Sequence, residues 1–150
     1  MNRALVVLDH TDRSVQLLED ASRLAAGVDA ELVVCSLLTE KQYENDVEVL
    51  SSIERVERTS YHHKGPEAFA KSLGESVCEE VLDDDVADIV GVVVDDDEQA
   101  TAILETAESN DCDHVFLVGK RRSPTGKVIF GNTAQSVILN FDGYVTITLQ

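Results

Sequence analysis

Residues 4–8 read Ala-Leu-Val-Val-Leu and run directly into the polar segment Asp9-His10-Thr11-Asp12. An unbroken apolar run of this length is expected of a strand that is buried on both faces of a sheet. A helical pattern follows at once, with Asp12 as the candidate N-cap and apolar residues at helical spacing until Gly27 ends it. The first 27 residues therefore predict a buried strand, a tight polar turn and an amphipathic helix.

The same alternation continues along the chain. Further apolar segments of strand length lie at residues 32–38, 89–94, 115–118 and 144–149. Helical spacing recurs at 66–82, 95–107 and 128–139, whereas 39–60 is more polar and is expected to be an irregular loop carrying a helix. Strands that alternate with helices predict an α/β fold with a parallel sheet covered on both faces. We expect one Rossmann-like domain over residues 1–150, with an open five-stranded sheet in the order 3-2-1-4-5.

Acidic residues dominate the charge: 29 Asp and Glu stand against 12 Lys and Arg, for a formal net charge of −17. An acidic surface stays hydrated, and salt screens its self-repulsion, so we expect a halophilic source. The same surface argues against non-specific binding to nucleic acids or anionic membranes, which requires basic patches. The sequence also shows no signal peptide and no apolar run near the ~20 residues of a membrane span.

The three cysteines, Cys35, Cys78 and Cys112, are far apart in sequence. Their spacing fits neither a metal site nor a redox motif, and their apolar or helical surroundings predict small buried residues. We therefore expect no metal site and a reducing, cytoplasmic location.

The segment after the fourth strand carries the strongest chemical signal. It reads Gly-Lys-Arg-Arg-Ser-Pro-Thr-Gly-Lys over residues 119–127 and holds four of the 12 basic residues, while no acid occurs from His114 to Phe141. Glycines let a backbone approach a phosphate, and the helix N-terminus that follows adds partial positive charge. Ser123, Thr125 and Thr133 add hydroxyl donors, and Lys or Arg neutralise phosphate. The pattern favours a polyphosphate site; the alternative is a solvated turn that balances the acidic surface.

With these residues in view, the chain resembles the universal stress protein family over nearly its whole length. The opening strand with Asp9 and Ser14, and the ending Gly131-Asn-Thr-Ala-Gln-Ser-Val-Ile-Leu followed by Val145-Thr-Ile-Thr-Leu, are similar to that family's first turn and last helix and strand. The family's phosphate motif is Gly-x2-Gly-x9-Gly followed by Ser or Thr. Here Gly119 matches its first glycine and Gly131 its last.

Three positions depart from that motif. Arg122 replaces the second glycine, the interval from it to Gly131 is one residue short, and Asn132 replaces the terminal Ser or Thr, with Thr133 next to it. Arg122 either contributes a charged fork to the phosphates or fills their space, and the residues alone leave both open.

The resemblance implies a site for an adenine nucleotide, ATP with or without magnesium. It implies that Asp9 contacts the adenine or ribose end and that Leu37 lines the base pocket. From its local sequence alone, Asp9 is equally suited to a turn that bonds its own backbone. The predicted nucleotide contacts are Asp9, Leu37, Gly119, Lys120, Arg122, Ser123, Gly126, Lys127, Gly131, Asn132 and Thr133.

The last strand, Val145–Leu149, alternates apolar residues with Thr and would lie at a sheet edge. An edge needs protection, and a symmetric dimer supplies it; the resemblance implies the same homodimer. No nucleophile-and-base signature is visible, so a catalytic residue is not predicted. The favoured function is an ATP-binding stress-response or signalling module. The alternatives are a protein-interaction scaffold that binds an unknown partner but no nucleotide, and a weak ATP hydrolase.

Overall fold

The computed structural model describes residues 1–57, 65–83, 85–120 and 131–150, and for 49–57 the backbone alone. Its strands are β1 (Arg3–Leu8), β2 (Glu31–Thr39), β3 (Asp88–Val94), β4 (His114–Gly119) and β5 (Tyr144–Leu149). Its helices are α1 (Asp12–Gly27), α2 (Glu40–Glu57), α3 (Pro66–Val81), α4 (Gln99–Ser109) and α5 (Asn132–Asn140), with a short 3₁₀ turn over Asp96–Glu98.

The five strands form one parallel sheet in the order β3-β2-β1-β4-β5. This confirms the predicted fold class and strand order. β1 and β2 are buried over most of their length because both are paired on two sides and covered on two faces. Their continuous apolar runs are therefore required by their central position.

Alternate residues of the strands serve two separate cores. Ala4, Val6 and Leu8 of β1 pack with α1 and with Cys78 of α3 on one face. Leu5 and Val7 pack on the opposite face with α4 and α5. The helices thus cover both faces, as the alternation of strands and helices predicted.

Four local expectations are corrected. Residues 40–57 form one continuous helix, α2, rather than an irregular loop. The N-cap of α1 is Thr11, whose side chain accepts a hydrogen bond from Ser14 N, so Asp12 is the first helical residue. Leu24 is one of the apolar residues at helical spacing in α1, yet it is 54% exposed. Helix α5 begins at Asn132, because Gly131 has a left-handed φ of 87°; Val128, its predicted start, lies outside the described residues.

The cysteines bear on the expected reducing environment. Cys35 and Cys78 are buried, Cys112 is half-buried, and none forms a disulfide in the part of the chain described. Burial raises the pKa of Cys35 to about 12 and that of Cys78 to about 11. Both thiols are therefore inert packing residues, as predicted. No helix within the described ranges is long and apolar enough to cross a membrane.

Helix α3 lies directly on β3 at Gly91. A Cβ added at Gly91 would lie 2.0 Å from the Glu67 carbonyl oxygen and 2.6 Å from Lys71 N. Both neighbours are backbone atoms of a helix, so they cannot move aside without shifting α3. The absence of a side chain at residue 91 is therefore what lets α3 cover this part of the sheet.

We predict that Gly91→Ala lowers the free energy of unfolding by about 3 kcal/mol, the upper part of the range for overpacking. Gly27→Ala is the matched control, because a Cβ at that helical glycine meets nothing within 4 Å and should be neutral or stabilising. Urea unfolding followed by circular dichroism measures both. Equal stabilities of the two variants would contradict the close approach of α3 and β3.

The start of α2 brings acidic groups together. Thr39 and Gln42 cap the helix reciprocally, with Gln42 N donating to Thr39 Oγ1 and Thr39 N donating to Gln42 Oε1. Glu40 is the first residue of this helix, and a side-chain hydrogen bond with Asp95 is the main cause that raises the pKa of Glu40. A raised carboxyl pKa means that the folded state prefers the protonated form, so this pair opposes folding at neutral pH.

Asp95→Asn is predicted to stabilise the protein at pH 7 and low salt, because Asn has the same shape as Asp and removes one charge. The gain should shrink in molar KCl, where salt screens the repulsion, and the pKa of Glu40 should fall toward its ordinary value. Glu105→Gln, on the exposed face of α4, controls for the change in net charge. Urea titrations at both salts and NMR titration of Glu40 provide the readouts. An unchanged Glu40 pKa in Asp95→Asn would refute the pairing.

Candidate functional site

Strand register places three predicted site residues at one level of the sheet. Leu8 pairs with Ser36 of β2, so the next residue, Asp9, is level with Leu37. Val6 pairs with Phe116 of β4, so three residues further on Asp9 is level with Gly119. Asp9, Leu37 and Gly119 therefore share the carboxyl edge of three adjacent strands. The chain leaves β1 and β4 in opposite directions here, which is where open α/β sheets bind ligands.

The turn after β1 is held together by Asp9. Its Oδ1 accepts hydrogen bonds from Thr11 N at 3.1 Å and from Thr11 Oγ1 at 2.6 Å. Thr11 Oγ1 in turn accepts from Ser14 N at 3.2 Å and caps α1. The local interpretation of Asp9 as a turn residue is thus confirmed. Only Oδ1 is used in these bonds, so the same carboxylate retains a second oxygen at the edge of the sheet.

His10 also belongs to this turn, although it was not among the predicted contact residues. Its backbone is left-handed, with φ 65°, and its Nε2 lies 2.7 Å from Ser36 Oγ. Ser36 is completely buried. Burial lowers the pKa of His10, and the charges of Asp9 and Asp46 oppose that shift. Two features of the sequence could have indicated this contact. Ser36 is a polar residue inside the apolar run of β2, and His10 belongs to a residue type that tolerates the left-handed region.

The other wall of the site is formed by the end of β4 and the start of α5. A Cβ added at Gly131 would lie 3.6 Å from Lys120 Cβ and 3.8 Å from Lys120 N, so the two segments are neighbours. Gly131 is the N-cap of α5 and provides no side-chain cap. Among the described residues, the first amides of α5, at Asn132 and Thr133, are therefore donors without a capping side chain, and the backbone of Lys120 lies next to them.

Seven of the predicted contact residues are described. Leu37 is buried in the core on the α4 and α5 face, Lys120 and Asn132 are exposed, and Thr133 is half-buried. Together with Asp9, Gly119 and Gly131 they lie at the carboxyl ends of the three central strands or at the start of α5. Arg122, Ser123, Gly126 and Lys127 lie outside the described residues.

Three other features of the structure lie apart from this site or lack its chemistry. Within the described ranges, no group of three or more His, Cys, Asp or Glu residues is placed to hold a metal ion. A pocket of about 350 Å³ lies at the opposite end of the sheet, lined mainly by small apolar residues such as Ala25, Ala26 and Ala30. Ser36 beside His10 is not a nucleophile, because its hydroxyl is fully buried and no substrate can reach it.

Solved structures with this fold include proteins that hold adenine nucleotides. A universal stress protein from Archaeoglobus fulgidus is 20% identical, with a TM-score of 0.59 over 98% of this chain and 97% of that one. The structure from the same organism in complex with dAMP is 17% identical, with a TM-score of 0.54 over 98% and 96%. A universal stress protein in complex with cAMP is 12% identical, with a TM-score of 0.58 over 99% and 96%. These likenesses show a shared fold.

No curated protein matches the chain in sequence. The model of the universal stress protein family matches residues 1–148, nearly the full length of the sequence. The chain belongs to the universal stress protein family.

Proposed function

We propose that this protein binds an adenine nucleotide, with ATP as the preferred ligand, and acts as a homodimeric stress-response or signalling module. The observation that carries the proposal is the start of α5. A glycine with φ 87° opens the helix without a side-chain cap, and Lys120 lies beside it. Uncapped amides and a neighbouring cation are the donors that a phosphate group requires.

We assign each residue of the site to one part of the nucleotide. Asp9 approaches the ribose or adenine end with its second carboxylate oxygen, and Leu37 lines the base pocket. Gly119, Lys120, Gly131, Asn132 and Thr133 face the phosphates, with Arg122, Ser123, Gly126 and Lys127 contributing from the segment between them. Magnesium, if it accompanies ATP, would be held by the phosphates, since the described residues offer no ligand cluster of their own.

One comparison and one feature of the sequence support an adenine nucleotide. The dAMP and cAMP complexes share the fold of this chain. The stretch from His114 to Phe141 has no acid in a chain of net charge −17, so the site avoids the repulsion that the rest of the surface would exert on an anion.

Gly131→Val is predicted to weaken ATP binding at least tenfold. A β-branched residue is strained at φ 87° and would move the first amides of α5 away from the phosphates. Calorimetry with magnesium, in molar KCl, compares wild type, Gly131→Val and the control Gly27→Ala. Circular dichroism must show all three folded. ATP affinity that survives Gly131→Val unchanged would exclude the α5 terminus as the phosphate site.

The homodimer is proposed to form through β5. Tyr144 of β5 and Leu139 of α5 are each 72% exposed. Within the part of the chain that the structure describes, β5 is also an edge strand that pairs with β4 alone. Exposed apolar side chains next to an unpaired strand edge are the features of a surface that another copy covers.

Thr146→Glu is predicted to convert the dimer to monomers, because two equivalent carboxylates would meet near the twofold axis and the edge would lose β propensity. Thr101→Glu, on the exposed surface of α4, is the charge-matched control. Sedimentation velocity in molar KCl measures the effect. A wild type that is monomeric at high micromolar concentration would contradict the dimer.

The alternative of a protein-interaction scaffold predicts a different result with the same protein. In that case a folded wild type binds no ATP at millimolar concentration, because Arg122 fills the phosphate space. Arg122→Gly would then create ATP binding, whereas it would weaken binding if Arg122 is a phosphate ligand. A weak hydrolase would release phosphate slowly and only with a divalent metal; none of the described residues is placed as its base.

Residence in a salt-rich cytoplasm is proposed on the basis of the free cysteines and the net charge of −17. Free thiols are typical of a reducing compartment, and salt lowers the cost of the acidic surface.

A further inference from the structure

His10 occupies a backbone conformation that costs it energy. With φ 65° it lies in the left-handed region, where a non-glycine residue is strained by about 1 kcal/mol or more. Glycine would adopt the same turn freely. An observed outlier of this kind is a reason to ask what the side chain contributes.

The imidazole links the turn to a rigid strand. Its Nε2 lies 2.7 Å from Ser36 Oγ, and Ser36 is completely buried in β2. Helix α3 holds Ser36 in place, since a Cβ added at Gly74 would lie only 2.8 Å from Ser36 Cβ. The position of Ser36 is therefore fixed, and the bond ties His10 to it. The adjacent residue in this turn is Asp9.

The groups around the ring favour opposite protonation states. Within its own turn the ring is near Asp9, and from α2 it is near Asp46. β2 presents the uncharged Ser36 hydroxyl, and α3 presents Gly74 behind it. The buried slot beside Ser36 favours the neutral ring, whereas two carboxylates favour the charged one. Protonation thus makes the buried position beside Ser36 less favourable and strengthens the attraction of the ring to the two carboxylates.

We propose that His10 is a proton-controlled positioning residue of the nucleotide site. The neutral ring, bonded to Ser36, holds the turn so that Asp9 can meet the nucleotide. The imidazolium leaves Ser36 for the carboxylates of Asp9 and Asp46 and occupies Asp9, which weakens nucleotide binding in acid. This inference rests on the proposed function for its consequence, while the movement of the ring is a property of the protein alone.

The movement is tested without nucleotide by NMR. The His10 ring should titrate below its ordinary pKa of about 6.5, and the amides of Thr11 and Ser14 should shift with the same midpoint. In His10→Asn, which tolerates the left-handed region and does not titrate in this range, that midpoint should vanish from both amides. Amides that titrate identically in wild type and His10→Asn would overturn the proposal whether or not the protein binds ATP.

Stability provides a second readout of the protein alone. The pKa of His10 is lower in the folded protein than in the unfolded chain. Its neutral ring therefore contributes to the stability of the fold above pH ~6.5, and this stabilisation is lost as the pH falls through the His10 pKa of the folded protein. The wild type should therefore lose stability relative to His10→Asn over that interval. A constant difference between the two proteins from pH 8 to pH 5 would contradict the proposal.

The consequence for binding is tested with ATP between pH 8 and pH 5. Because ATP itself titrates in this range, wild type and variants are compared at each pH. Relative to His10→Asn, wild-type affinity should fall by up to tenfold per pH unit below the His10 pKa, the limit for one proton.

Ser36→Ala and His10→Gly separate the ring from the turn. At pH 8, Ser36→Ala should bind ATP as weakly as the wild type does in acid, because the His10 ring has lost its hydrogen-bond partner. His10→Gly keeps the left-handed turn but removes the ring, so its affinity should be low at every pH. A constant ratio of wild-type to His10→Asn affinity would overturn the proposed link to binding. If neither the wild type nor any variant binds ATP, the proposed function is refuted. The titration of the Thr11 and Ser14 amides then decides whether protonation of His10 moves the turn.

Discussion

The position of β1 is the constraint on which the rest of the structure depends. It is paired with β2 on one edge and β4 on the other, and helices cover both of its faces. Its beginning is fixed as well, since the Asp113 carboxylate accepts hydrogen bonds from Asn2 N and Arg3 N at 2.9 and 3.2 Å. The bond from Asn2 is the main cause that lowers the pKa of Asp113.

A strand fixed in this way delivers its last residues to one place. Asp9 and His10 follow the buried Leu8 directly, so their backbone has little freedom to move along the sheet. Pairing with β4 brings Gly119 to the same level, and the chain returns from there to α5 through Gly131. On its Asp9 side the candidate site therefore follows directly from a strand that the sheet holds on both edges. On the other side it rests on the first turn of a nine-residue helix.

The central strands could be predicted from sequence because burial on both faces requires unbroken apolar runs, such as those of residues 4–8 and 32–38. The full extent of α2 could not. Over residues 40–48, where the side chains are described, Tyr43 and Val47 pack on the core, Tyr43 edge-on to Phe69 with ring centroids 5.4 Å apart, and the other side chains are exposed. Periodicity is a weak signal where so much of a segment is polar and exposed.

Two hydrogen bonds within the site also differ in whether they could be predicted from the sequence. The bond from Asp9 to Thr11 spans two residues, and turn chemistry predicted it. The bond from His10 to Ser36 spans 26 residues and depends on the parallel register of β1 and β2, which no local pattern encodes. Gly131 was recognised from the family motif, but its left-handed φ, and hence the start of α5 at Asn132, depends on how the chain enters that helix.

The central claim is that one ligand bridges the β1 turn and the start of α5. Titrating ¹⁵N-labelled protein with ATP in molar KCl tests it most directly. The account predicts that the amides of Thr11, Lys120, Asn132 and Thr133 shift together with one dissociation constant, while those lining the pocket at Ala25 and Ala26 remain still. Saturable shifts confined to another surface, or no shifts at millimolar ATP, would contradict it.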